Sequence, residues 1–145
     1  MAQAYQFEVR RVSAADTRPL RQRVLRPHQR IEEVGFAGDG VPGAAHFGAF
    51  VDGDLVATAS VHPEGEPGCW RLRGMATDEA HRGRGLGGAL VDAVVKHVAA
   101  QRGRQLWCNA RVRAADFYRR HGFVAEGDAF ELPEIGPHLY MARAM

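Results

Sequence analysis

Lysine is almost missing from this chain: of 19 basic residues only Lys96 is a lysine, and the rest are arginines. They are nearly matched by 17 acidic residues, which leaves a formal net charge of +2. That balance creates no broad positive field for nucleic acid, and a local group of guanidiniums favours bidentate contact with a small anion over diffuse attraction. Cysteine is equally sparse. Cys69 and Cys108 stand alone, without a CxxC spacing. This argues against a zinc knuckle or a disulfide framework and fits two buried free thiols in a reducing, cytoplasmic setting. The 7 histidines are scattered with no HExxH or paired spacing, so no metal site is expected. No apolar run reaches the roughly 18 residues of a membrane span. Met1 to Val12 also lacks the charged-then-apolar order of a signal peptide.

What the chain does have is 46% hydrophobic and 25% charged residues over 145 positions, the balance of one globular domain, 1–145, with a sizeable core. Its most unusual stretch is Arg82-Gly83-Arg84-Gly85-Leu86-Gly87-Gly88, with four glycines and two arginines directly ahead of an apolar-periodic run. Glycines let a backbone turn sharply and approach a ligand closely. A helix starting there aims unpaired N–H groups and the positive end of its dipole at the same point. The combination reads as a phosphate or pyrophosphate site with two charge-assisted donors. A plain basic turn is the other reading, but it needs no such density of glycine against a helix start.

The chain order predicts a mixed α/β domain. Tyr5 to Val12 alternates as a strand, and Asp16 or Thr17 is placed to cap a helix through Pro19 to Arg26 with Leu20, Val24 and Leu25 inward. Ile31 to Gly43 is glycine-rich with Pro42, either a connector or a substrate wall. His46–Val51 and Leu55–Val61 are strands about the turn Asp52-Gly53-Asp54. Cys69–Ala76 is a further strand, in which Gly74 marks either a bulge or a packing position. A helix from Leu86 to Gln101 buries Leu86, Ala89, Leu90, Ala93, Val94 and Val98, carries Asp92 and Lys96 outside, and stops at Gly103. Gln105–Asn109 is a buried strand, parallel to Cys69–Ala76 through a right-handed crossover. A helix over Ala114–His121, a strand that starts at Phe123 to Ala125, a turn at Pro133–Pro137 and a strand at His138–Ala144 complete the chain.

Gly83, Gly85 and Gly88 formally match GxGxxG. A dinucleotide site, however, wants that motif directly after the first strand with an acidic residue about 20 positions on. Here several strands precede it and the next strand ends at Cys108-Asn109. A Walker loop lacks its Gly-Lys-Ser/Thr. The run Leu72 to Leu90, with Asn109 and Phe117-Tyr118-Arg119-Arg120-His121-Gly122-Phe123, resembles instead the GNAT N-acetyltransferases. Their R/Q-x-x-G-x-G/A signature is matched by Arg82, Gly85 and Gly87.

The resemblance implies a GNAT acyl-CoA N-acyltransferase fold, with a mostly antiparallel central sheet, one splayed parallel strand pair and flanking helices. It also implies acetyl-CoA as co-substrate and a primary amine, on a small molecule or peptide, as acceptor. No nucleic acid, membrane or metal is implied, and the protein is expected as monomer or homodimer. Cofactor contacts would fall on Met75, Ala76, Thr77, Arg82, Gly83, Arg84, Gly85, Leu86, Gly87, Gly88, Asn109 and Phe117. Of the two arginines Arg82 fits the motif, whereas Arg84 reaches either solvent or the 3′-phosphate. Tyr118 would lie near the thioester sulfur, as general acid or as hydrogen-bond donor. Arg71 and Arg73 stand where some members carry a glutamate base, so that base is not expected here.

An amine with a reference pKa of roughly 10.4 must shed a proton to attack. A backbone N–H near Met75 or Ala76 is placed to support the oxyanion. For the base His138 leads, in a run Ile135 to Met141 similar to a segment of the ElaA-like subgroup. A purely packing histidine is the equal alternative, with His62, Glu64 or a water relay behind it. Cys108 has no activating base beside it in sequence and is not expected as a nucleophile. Arg73 and Arg111 are candidate substrate residues for an acceptor with a carboxylate or phosphate, and Arg113 reads as a surface arginine. A non-catalytic CoA-binding module is the competing class, with a dinucleotide-binding protein behind it.

Overall fold

A computed structural model describes residues 5–145. Seven strands form one sheet in the order β1-β2-β3-β4-β5-β7-β6. The first is β1 (Glu8–Val12), shorter than expected, since Tyr5 and Phe7 lie ahead of it and only pack on the core. Next come α1 (Ala14–Leu20) and a π-helical turn, Arg21–Leu25. The α1 cap is Ser13, not Asp16 or Thr17. Ser13 Oγ accepts from Asp16 N–H and Asp16 Oδ2 accepts from Ser13 N–H, both at 3.1 Å, a reciprocal capping box that fixes the start. The expected inward stripe shifts accordingly: Thr17, Leu20 and Arg21 are buried, while Val24 and Leu25 are half-exposed.

The hairpin of β2 (Ala45–Val51) and β3 (Asp54–Pro63) turns on Asp52 and Gly53, both at positive φ (51° and 86°), the two-residue geometry that matches strand twist. Successive residues of β2 and β3 are buried, so both faces of the sheet are covered there. Ala45, Phe47, Ala57, Ala59 and Val61 join the apolar core with α2 (Leu86–Ala100), which contributes Leu86, Leu90, Val91, Val94 and Val98. The opposite face is polar and equally buried, with His46, Thr58, Ser60 and His62. Asp92 and Lys96 are exposed as expected.

Beyond it, β4 (Cys69–Thr77) is antiparallel to β3 and parallel to β5 (Gln105–Arg111). Then follow α3 (Ala115–Arg120), β6 (Val124–Leu132) and β7 (Gly136–Ala144). The sheet is thus antiparallel except for β4–β5, with helices flanking it. Cys69 and Cys108 are free thiols, but only Cys108 is buried. Cys69 is half-exposed, its Sγ 3.5 Å from Gln105 Oε1. No helix is long and apolar enough to cross a membrane among the described residues.

Candidate active site

The loop into α2 is shaped by two left-handed glycines, Gly83 at φ 76° and Gly85, the N-cap, at φ 85°. A side chain there would be strained, and at Gly85 it would also project into open space over the loop, where a Cβ meets nothing within 4 Å. The first helical bond, Ala89 N–H to Gly85 C=O at 3.1 Å, leaves the N–H groups of Leu86, Gly87 and Gly88 without an intrahelical acceptor. Gly87 and Gly88 do other work. A Cβ on Gly87 would sit 3.2 Å from the Phe117 ring, and one on Gly88 would sit 3.1 Å from His121, so α3 closes directly on the helix start. Arg82 and His121 border the resulting cavity of about 450 Å³. Arg82 Nε donates to Thr77 C=O at 3.3 Å. Arg84 turns away, with its guanidinium 4.9 Å from the Tyr5 ring.

From this loop a cleft follows the sheet. β4 and β5 are paired only at Cys69–Gln105, Trp70–Leu106 and Arg71–Trp107. Past Arg71 the strands part, and β4 has no partner on that side. On its other edge the register with β3 slips between Arg73 and Ala76, leaving Gly74 (φ 66°) and Met75 unpaired in a bulge. The expected bulge therefore exists, and the backbone groups turned toward β5 from 72 to 77 are open. Met75, Thr77, Arg82 and Phe117 line a cavity of about 470 Å³ here, with Val24 and Leu25 across from them. Ala76 is 3% exposed, so only its backbone could meet a ligand.

Tyr118 lies at the junction of that cavity with a smaller one of about 140 Å³. Its ring is wedged between Phe117 and Phe123, with centroids 5.1 and 5.4 Å away. Burial, helped by the neighbouring Cys108, pushes the phenol well above its usual range. Burial likewise pushes the Cys108 thiol up to about 12, which makes it an inert core thiol. Asn109 and His138 line the smaller cavity. His138 is 4% exposed, and its Nδ1 is 2.8 Å from Gly136 C=O. A carbonyl only accepts, so Nδ1 carries a hydrogen, and Nε2 is the nitrogen at which the neutral tautomer has its lone pair. His62 and Glu64 do not line this cavity, although Glu64 bonds Arg71 on its border. The His62 ring is packed against Gly38, and Nδ1 faces Pro63 C=O at 3.1 Å.

Four arginines, 26, 71, 73 and 111, border the smaller cavity, and no acidic residue does. Arg71 is paired with Glu64 at 3.1 Å. Arg111 donates to Leu25 C=O at 2.7 Å, which ties β5 to the π-helical turn. Arg73 lies 4.0 Å from the centroid of Phe36. Burial, then the charges of Arg71 and Arg26, lowers it to about 10, still a cation at neutral pH. Burial also lowers Arg26 and Arg111.

The wall opposite β4 is built by Leu25, Arg26 and Phe36, of which the sequence placed Leu25 and Arg26 only in a helix and marked none as a site residue. The one available signal was an aromatic inside the glycine-rich segment Ile31–Gly43, already a candidate wall. Phe36 is held by a buried polar knot. Arg21, fully buried, bonds Asp39 through both terminal nitrogens (2.7 and 2.9 Å), and also bonds Val34 C=O and Ser60 Oγ. Its guanidinium lies 3.9 Å from the Phe36 centroid. Two guanidiniums this close to one ring occupy opposite faces, so Phe36 is stacked between Arg21 and Arg73. Among the described residues no group of His, Cys, Asp and Glu is arranged to hold a metal.

Residues 9–123 match the family described as the acetyltransferase (GNAT) family. Over 96% of its length the chain is 38% identical to an uncharacterized N-acetyltransferase of Bacillus subtilis, YitI, of which 97% is covered. The crystal structure of Escherichia coli ElaA superposes with a TM-score of 0.79 at 18% identity, covering 95% of this chain and 99% of that one, a likeness of fold. An acyl-CoA N-acyltransferase from Pseudomonas aeruginosa superposes with a TM-score of 0.72 at 25% identity, covering 96% and 100%.

Proposed function

The chain belongs to the GNAT acetyltransferase family, and from that premise we propose that it moves an acetyl group from acetyl-CoA to a primary amine by direct transfer. The observation that carries this reading is one continuous cleft. It runs from the unpaired N–H groups at the start of α2, along the open edge of β4, to Tyr118. The residues fit the co-substrate: free N–H groups and open space over Gly83 and Gly85 suit a pyrophosphate, and an unpaired strand edge suits an extended amide-bearing arm. Bound there, acetyl-CoA supplies an acetyl group activated as a thioester.

In this reading Arg82 and the N–H groups of residues 83–88 hold the pyrophosphate. Met75 and Thr77 flank the arm beside Phe117, and Asn109 lies further along the cleft. A backbone N–H at Met75 or Ala76 donates to the carbonyl oxygen as negative charge develops on it. Tyr118, kept protonated by burial, donates a hydrogen bond to the departing sulfur as negative charge develops on it, and the thiolate leaves without needing the phenol's proton. His138 Nε2 takes the proton from the attacking amine. Cys108, held as a thiol, offers no acyl-enzyme route.

The test is thiol release from acetyl-CoA over a panel of small amines and peptides, run beside a melting scan with CoA. Amine-dependent release is the expected result. A raised melting temperature with CoA, but no release with any amine, would replace the reading with a non-catalytic CoA-binding module.

A further inference from the structure

The smaller cavity is unusual in its charge. Of its four arginines only Arg71 has a carboxylate partner, Glu64 at 3.1 Å. Arg111 is tied by one terminal nitrogen to a backbone carbonyl, Leu25 C=O. Arg26 and Arg73 are half-buried, yet among the described residues neither guanidinium has an ion pair or a hydrogen bond, and both reach the ring of Phe36, at 5.9 and 4.0 Å. The nearby carboxylate of Asp39 is already taken by both terminal nitrogens of Arg21. Half-buried cations are ordinarily paired, because desolvation without compensation is costly. Both line the cavity, burial opposes the charge of each, and Arg26 adds its repulsion at Arg73.

We infer that Arg26 and Arg73, set about Phe36, form an anion clamp, and that the acceptor is a primary amine carrying a carboxylate or a phosphate group. This rests on the acetyl-transfer reading of the cleft. A simple ammonium would add a fifth positive charge to the cavity and be repelled. An amine that brings its own anion enters at lower electrostatic cost, and its ammonium then sits among guanidiniums that favour loss of its proton. The cavity thus compensates for having no carboxylate base among its lining residues. Arg26, the residue that ends the π-helical turn, takes the role expected of Arg111.

Matched acceptors decide it: α- and β-amino acids against their amides, and phosphoethanolamine against ethanolamine. The anionic member of at least one pair is expected to have a kcat/KM about tenfold or more above its neutral partner, and the pair that responds separates carboxylate from phosphate. In Arg26→Met and Arg73→Met that ratio falls toward one, through KM rather than kcat, while the melting shift given by CoA is kept. Neither variant strands a buried carboxylate, so both are expected to fold. Equal kcat/KM within every pair, or a ratio that both variants leave intact, overturns the clamp.

A binding arm separates this from failure of the acetyl-transfer reading. The N-acetyl derivatives of the same pairs are compared by the extra melting shift they give the CoA complex. If no amine turns over but the anionic derivatives bind better and lose that advantage in the variants, the clamp stands and acetyl transfer fails. If charged and neutral derivatives bind alike, the clamp fails whatever the turnover.

Discussion

Tyr118 has a hydroxyl in a mostly apolar seat beside Cys108, and burial raises its proton affinity. A raised phenol is protonated at every pH below its own value, so it stays available as a donor throughout an ordinary assay. Tyr118→Phe is therefore expected to lower kcat by roughly 10²-fold or more with little change in acetyl-CoA affinity. The wild-type rate should show no loss from phenol ionisation up to about pH 10, the reference value for tyrosine. Equal turnover in the variant would reduce Tyr118 to packing. His138 differs in kind. Its tautomer is fixed by Gly136 C=O, and only Nε2 can accept. His138→Asn should cut kcat/KM near pH 7 by roughly 10²-fold, with the gap narrowing as the pH approaches the amine's own value of about 10.4. A constant gap across pH would mean that His138 positions the cavity wall and moves no proton.

At the scale of elements, the helix start depends on Gly85 in two separable ways. Its φ of 85° disfavours any side chain, at a cost of roughly 1–2 kcal/mol, and a Cβ there stands in the open space over the loop. Gly85→Val is thus expected to weaken acetyl-CoA binding by tenfold or more while the variant remains folded, as read by calorimetric titration beside circular dichroism. Unchanged affinity would remove the loop from the site. This element was readable in the sequence because its signals are local: a glycine cluster, then an apolar period. The same holds for β2–β3, whose turn is specified by Asp52-Gly53 alone. The bulge at Gly74 was flagged by one residue. What escaped depended on partners far along the chain. The π-helical turn is organised by Arg21 reaching Asp39 and Ser60, and Arg111 is captured by a carbonyl of that turn. Nothing adjacent to Arg21 or Phe36 announces those contacts. β6 begins within its expected start, Phe123 to Ala125, but its extent to Leu132 is unmarked in the sequence, because it is an edge strand with most of its residues exposed and burial imposes no clean alternation on it.

For the whole molecule, the polar face of the sheet is the acid-labile part. Burial alone would raise the Asp39 carboxyl. The hydrogen bonds from Arg21 and Phe36 N–H, together with the Arg21 charge, outweigh that and hold it below the usual range. A carboxyl depressed in the folded state contributes stability that is complete above its unfolded value of about 3.9 and is lost as the pH falls through the folded value. Urea unfolding from pH 7 to pH 2.5 should therefore show a steep loss at the acid end. Asp39→Asn should lack that component and should cost roughly 3–5 kcal/mol at pH 7, because it leaves Arg21 buried without its counter-charge. An acid limb of unchanged slope would mean that other carboxylates carry the effect.

The three residue pairs that join β4 to β5 also make the sheet a seam between two smaller sheets, β1–β4 and β5–β7. Amides that face the gap have no strand partner and exchange without the rest of the molecule unfolding. In hydrogen–deuterium exchange the ligand-free protein should lose protection first along residues 72–77 and 107–111, well before β2 and β3. Ligand bound in the cleft would then bridge the two sheets as an eighth, removable strand and slow exchange on both sides of the seam together. Slowing on one side alone would mean that the sheets are coupled by α3 and not by what lies between them.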